Sequence, residues 1–179
     1  IVSMAHDKYH PCQGLADVMG LRMHMGKSMK GKKLVQYWGK GALARSWCSV
    51  QESILINSRF GMDVTIAYPE GYDLDPQVIE HVKKNCAENG AKFEITHDPV
   101  ACYEGADVVY SRNWMSPRAY DGGQFNKPKE VEQSLKYQDW ICDAAKMKKS
   151  NNALYIHPMP IDRGNEVTDE VASGPRSII

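Results

Sequence analysis

The sequence predicts an α/β fold built on a doubly wound parallel sheet. Three observations carry this. From Lys32 onward, short apolar runs rich in Val, Ile and Tyr alternate with segments of helical period. Gly and Pro punctuate the alternation at intervals of about 10–15 residues. No internal repeat or low-complexity tract interrupts it. Strands alternating with helices make βαβ units, whose parallel sheet is covered on both faces.

Residues 1–30 stand apart, as a short strand followed by an amphipathic helix from about Gln13 to Met25. Residues 33–38 form the first strand of the alternation. A glycine-containing loop leads to a helix over 49–59, with apolar Val50, Ile54 and Leu55, closed by Gly61. Residues 63–68 are the second strand. Asp75-Pro76 caps a helix that runs to Asn89-Gly90. Residues 92–96 are a third strand, Asp98-Pro99 starts a short helix ended by Gly105, and 107–111 are a fourth strand. Residues 116–128, with Pro117, Gly122-Gly123 and Pro128, read as a long loop. One or two helices cover 129–149, and 153–156 are a fifth strand. Residues 177–179 form a sixth. In such sheets ligands sit beyond the C-terminal strand edges, here 39–46, 68–73, 111–118 and 157–165.

The chain has 179 residues, enough for one ordinary domain plus a piece of another. It opens at Ile1 and stops at Ile179 inside a strand-like run, so we expect a fragment of a longer protein. Lys+Arg 22 against Asp+Glu 22 gives no net charge, which argues against a nucleic-acid binder. No apolar run approaches the roughly 18 residues a membrane span needs. Five cysteines, odd in number and never in a CxxC pair, argue against a disulfide framework or a structural zinc site. The expected compartment is the cytoplasm, and no metal site is expected.

Four constellations could carry chemistry. Gly39-Lys40-Gly41, with Ala44, fits a dinucleotide fingerprint, though the acidic residue expected about 20 positions on is missing; a turn that simply needs glycines is the preferred reading. His10-Pro11-Cys12-Gln13 opens a helix, where Pro11 suits the first turn. There an imidazole can donate to a carbonyl oxygen and a carboxamide can read a planar amide; taken alone, a histidine at a helix start is most often a cap. His157-Pro158-Met159-Pro160 leaves the fifth strand, and its prolines should hold the backbone extended with the Pro158 and Met159 carbonyls free to accept. Asp162 and Arg163 follow, as a ligand pair or a surface ion pair. Finally Arg112, Trp114 and Ser116 leave the fourth strand. Arg112 needs an anionic partner, from the protein or from a substrate, and Trp114 fits a pocket wall or the core equally well.

Together these segments resemble the aspartate/ornithine carbamoyltransferase family. His10-Pro-Cys-Gln13-Gly-Leu15-Ala-Asp17 is similar to its HPxQxLAD signature. His157-Pro-Met-Pro160, with Asp162-Arg163-Gly164, is similar to its C-terminal signature. The dispersed motifs follow the family's order along essentially the whole chain. The resemblance implies residues 1–30 as the C-terminal remnant of a carbamoyl phosphate-binding domain, its last strand and helix. Residues 31–179 would be the Rossmann-like domain that binds the second, amino-acid substrate. It also implies a homotrimer and no cofactor.

The reaction implied is attack of an amine on the carbamoyl carbon of carbamoyl phosphate. His10 would hold the carbonyl oxygen, while Gln13 and the carbonyls of Pro158 and Met159 would hold the NH2. The amine substrate would meet Arg112, Trp114, Ser116, Asp162 and Arg163. Where ornithine enzymes have HCLP this chain has Pro158, and where they have an aspartate before the Trp it has Arg112. An amino compound other than ornithine, bearing an anionic group, is therefore expected, in the manner of the acetylornithine-type branch. That branch carries a proline-rich loop, whereas residues 39–49 contain no proline. Two other classes compete. One is a nicotinamide-dependent oxidoreductase using the Gly39-Lys40-Gly41 loop, and the other is a non-catalytic amino-acid-binding relative.

Overall fold

The computed structural model describes residues 3–121 and 123–179. Ile1 and Val2, the start of the expected N-terminal strand, lie outside the described residues, as does Gly122. Residues 3–10 form no strand.

Five parallel strands make the sheet: β1 (Lys33–Trp38), β2 (Asp63–Ala67), β3 (Phe93–Thr96), β4 (Val108–Arg112) and a last strand, Leu154–Ile156. Between the last two, Tyr120–Asp121 (β5) and Gln124–Phe125 (β6) form a small antiparallel hairpin, so the last strand is β7. The order β3-β2-β1-β4-β7 reverses between β1 and β4. There the helical connections turn to opposite sides and open a crevice beyond the strand ends. Every residue of β1 after Lys33 is buried, and successive side chains point to opposite faces. Both faces are therefore covered, and Val, Leu and Tyr dominate the central strands for that reason.

Helix α1 (Pro11–Met25) packs on α2 (Cys48–Arg59), and α2 packs on α3 (Pro76–Asn89). The amphipathic expectation for α1 holds on one side only. Gly14, Asp17, Val18 and Leu21 are buried, while Leu15, Met19 and Met23 face outward, so both faces carry apolar residues. Helix α2 is sandwiched and buries Ser49, Gln51, Glu52, Ser53, Asn57 and Ser58 with its apolar residues. Two of its short polar side chains bond back to the helix, Asn57 to the Ser53 carbonyl and Ser58 to that of Leu55. Helix α3 follows its sequence signals. Asp75 accepts from the Gln77 and Val78 amides, Pro76 sits at the first turn, and Gly90 closes the helix at φ 68°.

The expected helix after Asp98-Pro99 is a 3₁₀ turn over Ala101–Tyr103, because Asp98 takes the Val100 and Ala101 amides in a tight local turn. The 129–149 region holds α4 (Lys127–Ser134) and α5 (Ala144–Met147). A short α6 (Asp169–Ala172) was not foreseen. In place of a sixth strand, Ser177 makes a single parallel bridge to Tyr155.

Candidate active site

The glycines of the first loop serve the protein's own packing. A Cβ on Gly39 would stand 2.8 Å from the Glu166 Cα, and one on Gly41 3.0 Å from Asn113. The loop's amides are also spent internally. Gly39 donates to the Arg112 carbonyl, Lys40 to that of Trp140, Gly41 to Ser134 Oγ and Ala42 to Asp162 Oδ2. Helix α2 begins only at Cys48, beyond the loop. A pyrophosphate would find neither free amides nor a helix start at the glycines, which removes the oxidoreductase reading.

Glu166 is the centre that these exits share. Fully buried, it accepts from the Asn113 amide at 2.7 Å, the Asp162 amide at 2.9 Å and His157 Nε2 at 2.9 Å. Burial alone would raise its pKa, but the bonds from His157, Asn113 and Asp162 outweigh that and hold it below the usual carboxylate range. Burial pushes His157 down, more than Glu166 pulls it up, and Arg112 and Arg45 add to the lowering. At neutral pH the pair is a carboxylate bonded to a neutral imidazole.

The other imidazole nitrogen, Nδ1, accepts the Met159 amide at 2.9 Å. Met159 sits at φ 55°, the left-handed region, and not in the extended conformation expected of a residue between prolines. Its N–H is turned back onto His157. Its carbonyl also accepts from Arg112 Nη1 at 3.3 Å, so it is not wholly free, as the sequence had suggested.

Beside Glu166 lie two guanidiniums. Arg112 leaves β4 nine-tenths buried; Arg45, which the sequence did not single out, has its Nε 3.7 Å from Glu166 Oε1. Burial and the neighbouring Arg112 charge both lower the Arg45 pKa, against Glu166 and Asp162. Among the described residues Arg45 Nε, Arg45 Nη2 and Arg112 Nε have no hydrogen-bond acceptor. Glu166 and Asp162 offset the two guanidinium charges, but these N–H groups stay unpaired. Buried donors of this kind favour an anionic ligand.

On α1, His10 is the N-cap. Its Nδ1 accepts the Gln13 amide at 3.4 Å, so in the neutral ring the proton sits on Nε2. The Gln13 side-chain NH2 donates to Asp17 Oδ1 at 2.8 Å, leaving its carbonyl oxygen to accept. Burial raises Asp17 to about 7, the Gln13 bond opposing and the nearby Glu52 adding to the rise. Glu52 itself is raised by burial, against the His10 backbone amide, which donates to it, and against the positive charge of Arg59, His10 and His6.

The remaining expected ligands are mostly committed elsewhere. Trp114 is fully buried and donates to the Tyr72 carbonyl at 2.8 Å, which places it in the core. The Ser116 hydroxyl donates to the Gly71 carbonyl at the edge of a cavity of about 310 Å³ that also includes Arg118 and Glu130. Asp162 organises the loop through Ala42 and Asn165. Arg163 is held at 2.9 Å by both Asp169 and Ser173 beside α6. A larger, mainly apolar cavity of about 490 Å³ lies along β7 at Met147, Ala153, Tyr155 and Val171, and includes none of these groups. Chemistry and not size marks the site. Among the described residues no cluster of His, Cys, Asp and Glu could hold a metal ion, and no helix is long and apolar enough to cross a membrane.

Comparison with known proteins bears on the site. Residues 31–179 match the family described as aspartate/ornithine carbamoyltransferase, Asp/Orn binding domain. The chain is 35% identical over 171 residues to the N-acetylornithine carbamoyltransferase of Xylella fastidiosa, covering 94% of this chain and 50% of that protein. It is 36% identical over 180 residues to the ornithine carbamoyltransferase of Pyrococcus horikoshii, covering 100% and 52%. Among solved structures, acetylornithine transcarbamylase complexed with acetylcitrulline superposes with a TM-score of 0.88 at 33% identity, over 95% of this chain and 50% of that one. A mutant N-acetyl-L-ornithine transcarbamylase, complexed with carbamyl phosphate and N-succinyl-L-norvaline, gives 0.91 at 32%, over 99% and 52%. The chain spans about half the length of the curated relatives it matches.

Proposed function

This chain belongs to the aspartate/ornithine carbamoyltransferase family, and on that footing we propose that the protein containing it moves a carbamoyl group from carbamoyl phosphate to an amine. Residues 31–179 form the amino-substrate domain, and residues 1–30 are the end of the carbamoyl phosphate domain. The whole protein works as a cytoplasmic homotrimer.

The amine lone pair attacks the carbamoyl carbon, and negative charge collects on the carbonyl oxygen. The His10 Nε2–H donates to that oxygen and stabilises it as it develops. The carbonyl re-forms as the C–O bond to phosphate breaks, and phosphate leaves with the electron pair and takes the proton that the amine gives up. The Gln13 carbonyl oxygen and the carbonyls of Pro158 and Met159 accept from the carbamoyl NH2 and fix its plane. This sequence of steps uses no cofactor.

The amine substrate carries an anionic group that meets Arg112 and Arg45. The observation behind this is the unsatisfied N–H groups of two guanidiniums, Arg112 buried at the C-terminal end of β4 and Arg45 partly buried in the loop before α2. A cationic substrate end, such as the side-chain ammonium of an amino acid, would be repelled there, so the substrate is one whose second amine is masked or absent. The test is carbamoyl phosphate–dependent phosphate release by the intact protein, screened over amino compounds with and without a free second amine. Activity confined to cationic amines would overturn the assignment, and His10→Ala should lose most of the rate while staying folded.

A further inference from the structure

The C-terminal motif leaves one question about the carbamoyl grip: what holds the Met159 carbonyl where a ligand can use it. Met159 lies at φ 55°, a left-handed region that a residue with a side chain enters only at a cost in free energy. Something must hold it there. Its amide donates to His157 Nδ1 at 2.9 Å, and His157 Nε2 donates to Glu166 Oε2 at 2.9 Å. Both imidazole nitrogens are thus used, one as acceptor and one as donor, which only the neutral Nε2–H form can do. Glu166 is in turn held by the Asn113 and Asp162 amides, one at the exit of β4 and the other in the loop after Met159. The chain of contacts runs from the end of β4 through a carboxylate and an imidazole to one peptide group.

We infer that His157 and Glu166 are a positioning pair for carbamoyl binding: Glu166 fixes the His157 tautomer, and His157 captures the Met159 amide and aims the carbonyl of that residue into the crevice. The inference deepens the carbamoyl-transfer reading and rests on it. Neither residue touches the reacting atoms; both act through the Met159 peptide. Fully buried and paired, the imidazole takes no part as a base.

Two substitutions separate this role from a merely structural one. His157→Gln can still reach Glu166 with its amide NH2, which favours stability, but it gives up the short-range acceptor for the Met159 amide. His157→Asn keeps an acceptor at the Nδ1 position and gives up the bond to Glu166. In the intact protein, His157→Gln should keep the higher Tm of the two while its KM for carbamoyl phosphate rises on the order of 10- to 100-fold. His157→Asn should lose more Tm yet keep a KM within about threefold of wild type. KM values that follow the Tm order instead would overturn the inference while the unsubstituted protein remained active. An unsubstituted protein that releases no phosphate with any amine would overturn the carbamoyl-transfer reading and this inference with it. Where both variants misfold, ¹⁵N-histidine spectra of the unsubstituted protein decide. A neutral Nε2–H signal supports the pair, and a proton on Nδ1 overturns it.

Discussion

Gln13 and Asp17 lie one turn apart on α1, and the 2.8 Å bond from the Gln13 amide to the Asp17 carboxylate decides which end of that amide faces outward. A free carboxamide presents oxygen or nitrogen about equally. Here the nitrogen is taken and the oxygen is left, which suits an NH2 ligand. The cost is a carboxyl buried beside Glu52 and raised to about 7.

That cost has a sign. A folded pKa above the unfolded value means stability is fully present below the ordinary Asp range and is lost as pH rises through about 7. Asp17→Asn should therefore stabilise the intact protein at pH 8, on the order of 2–4 kcal/mol, and much less at pH 5. Its KM for carbamoyl phosphate should rise, because Asn no longer selects the Gln13 orientation. Thermal unfolding at the two pH values checks the first point. A gain that is equal at both would contradict it.

His157 and Glu166 carry the opposite sign. Both folded pKa values are depressed, so the stability they give is present at neutral pH and lost on acidification. The imidazole's share goes as pH falls below about 6.5, and the carboxylate's share below about 4.5. Urea unfolding of Asp17→Asn, in which the opposing contribution is gone, should show a stability loss starting near pH 6.5. Adding His157→Gln should delay its onset to the carboxylate range. A curve of the same shape in both proteins would refute the assignment.

Arg45 lies 3.7 Å from Glu166, and its Nε and Nη2 carry no hydrogen bond. Arg45→Gln should raise KM for an anionic amine substrate about tenfold, equivalent to ~1.4 kcal/mol, and leave KM for carbamoyl phosphate within about twofold. Steady-state kinetics with each substrate varied in turn make the comparison. Equal losses for both substrates would mean that Arg45 supports the site as a whole and not the anion.

Gly39 and Gly41 should differ under substitution. An added methyl on Gly39 meets backbone at 2.8 Å, whereas one on Gly41 meets the Asn113 side chain at 3.0 Å. Gly39→Ala should cost about 1–3 kcal/mol and Gly41→Ala less, measured by urea unfolding. The reverse order would show that the Glu166 loop yields more readily than the Asn113 side chain.

The parts of this fold that were legible in the sequence are those fixed locally. Asp75-Pro76 and Asn89-Gly90 delimit α3 because a cap, a fixed φ and a left-handed glycine act within a turn of themselves. The strands show through runs such as residues 63–68 for the same reason. What stayed hidden was set at long range. Nothing near Arg45 announces that a loop close to the other end of the chain will bring Glu166 to it, and nothing local predicts Met159 at positive φ. Asp17 stood inside a motif, but the bond that gives it a role depends on burial against α2. Trp114 and Arg163 each keep two readings in the sequence, because their partners, the Tyr72 carbonyl and Asp169 with Ser173, are set by the fold. Thr168 followed by Asp169 and Glu170 was a readable start signal for α6, and its shortness concealed it.

Gly14 meets α2 so closely that a Cβ there would lie 2.6 Å from the Glu52 Cγ and 3.3 Å from Ile56. The two helices meet there with no side chain on the α1 side of the contact. His10 lies one turn before it on the same helix, its carbonyl accepting the Gly14 amide, so the contact sets where the imidazole stands. A methyl at position 14 would be a wedge, tilting the imidazole away from its target without altering a single reactive atom.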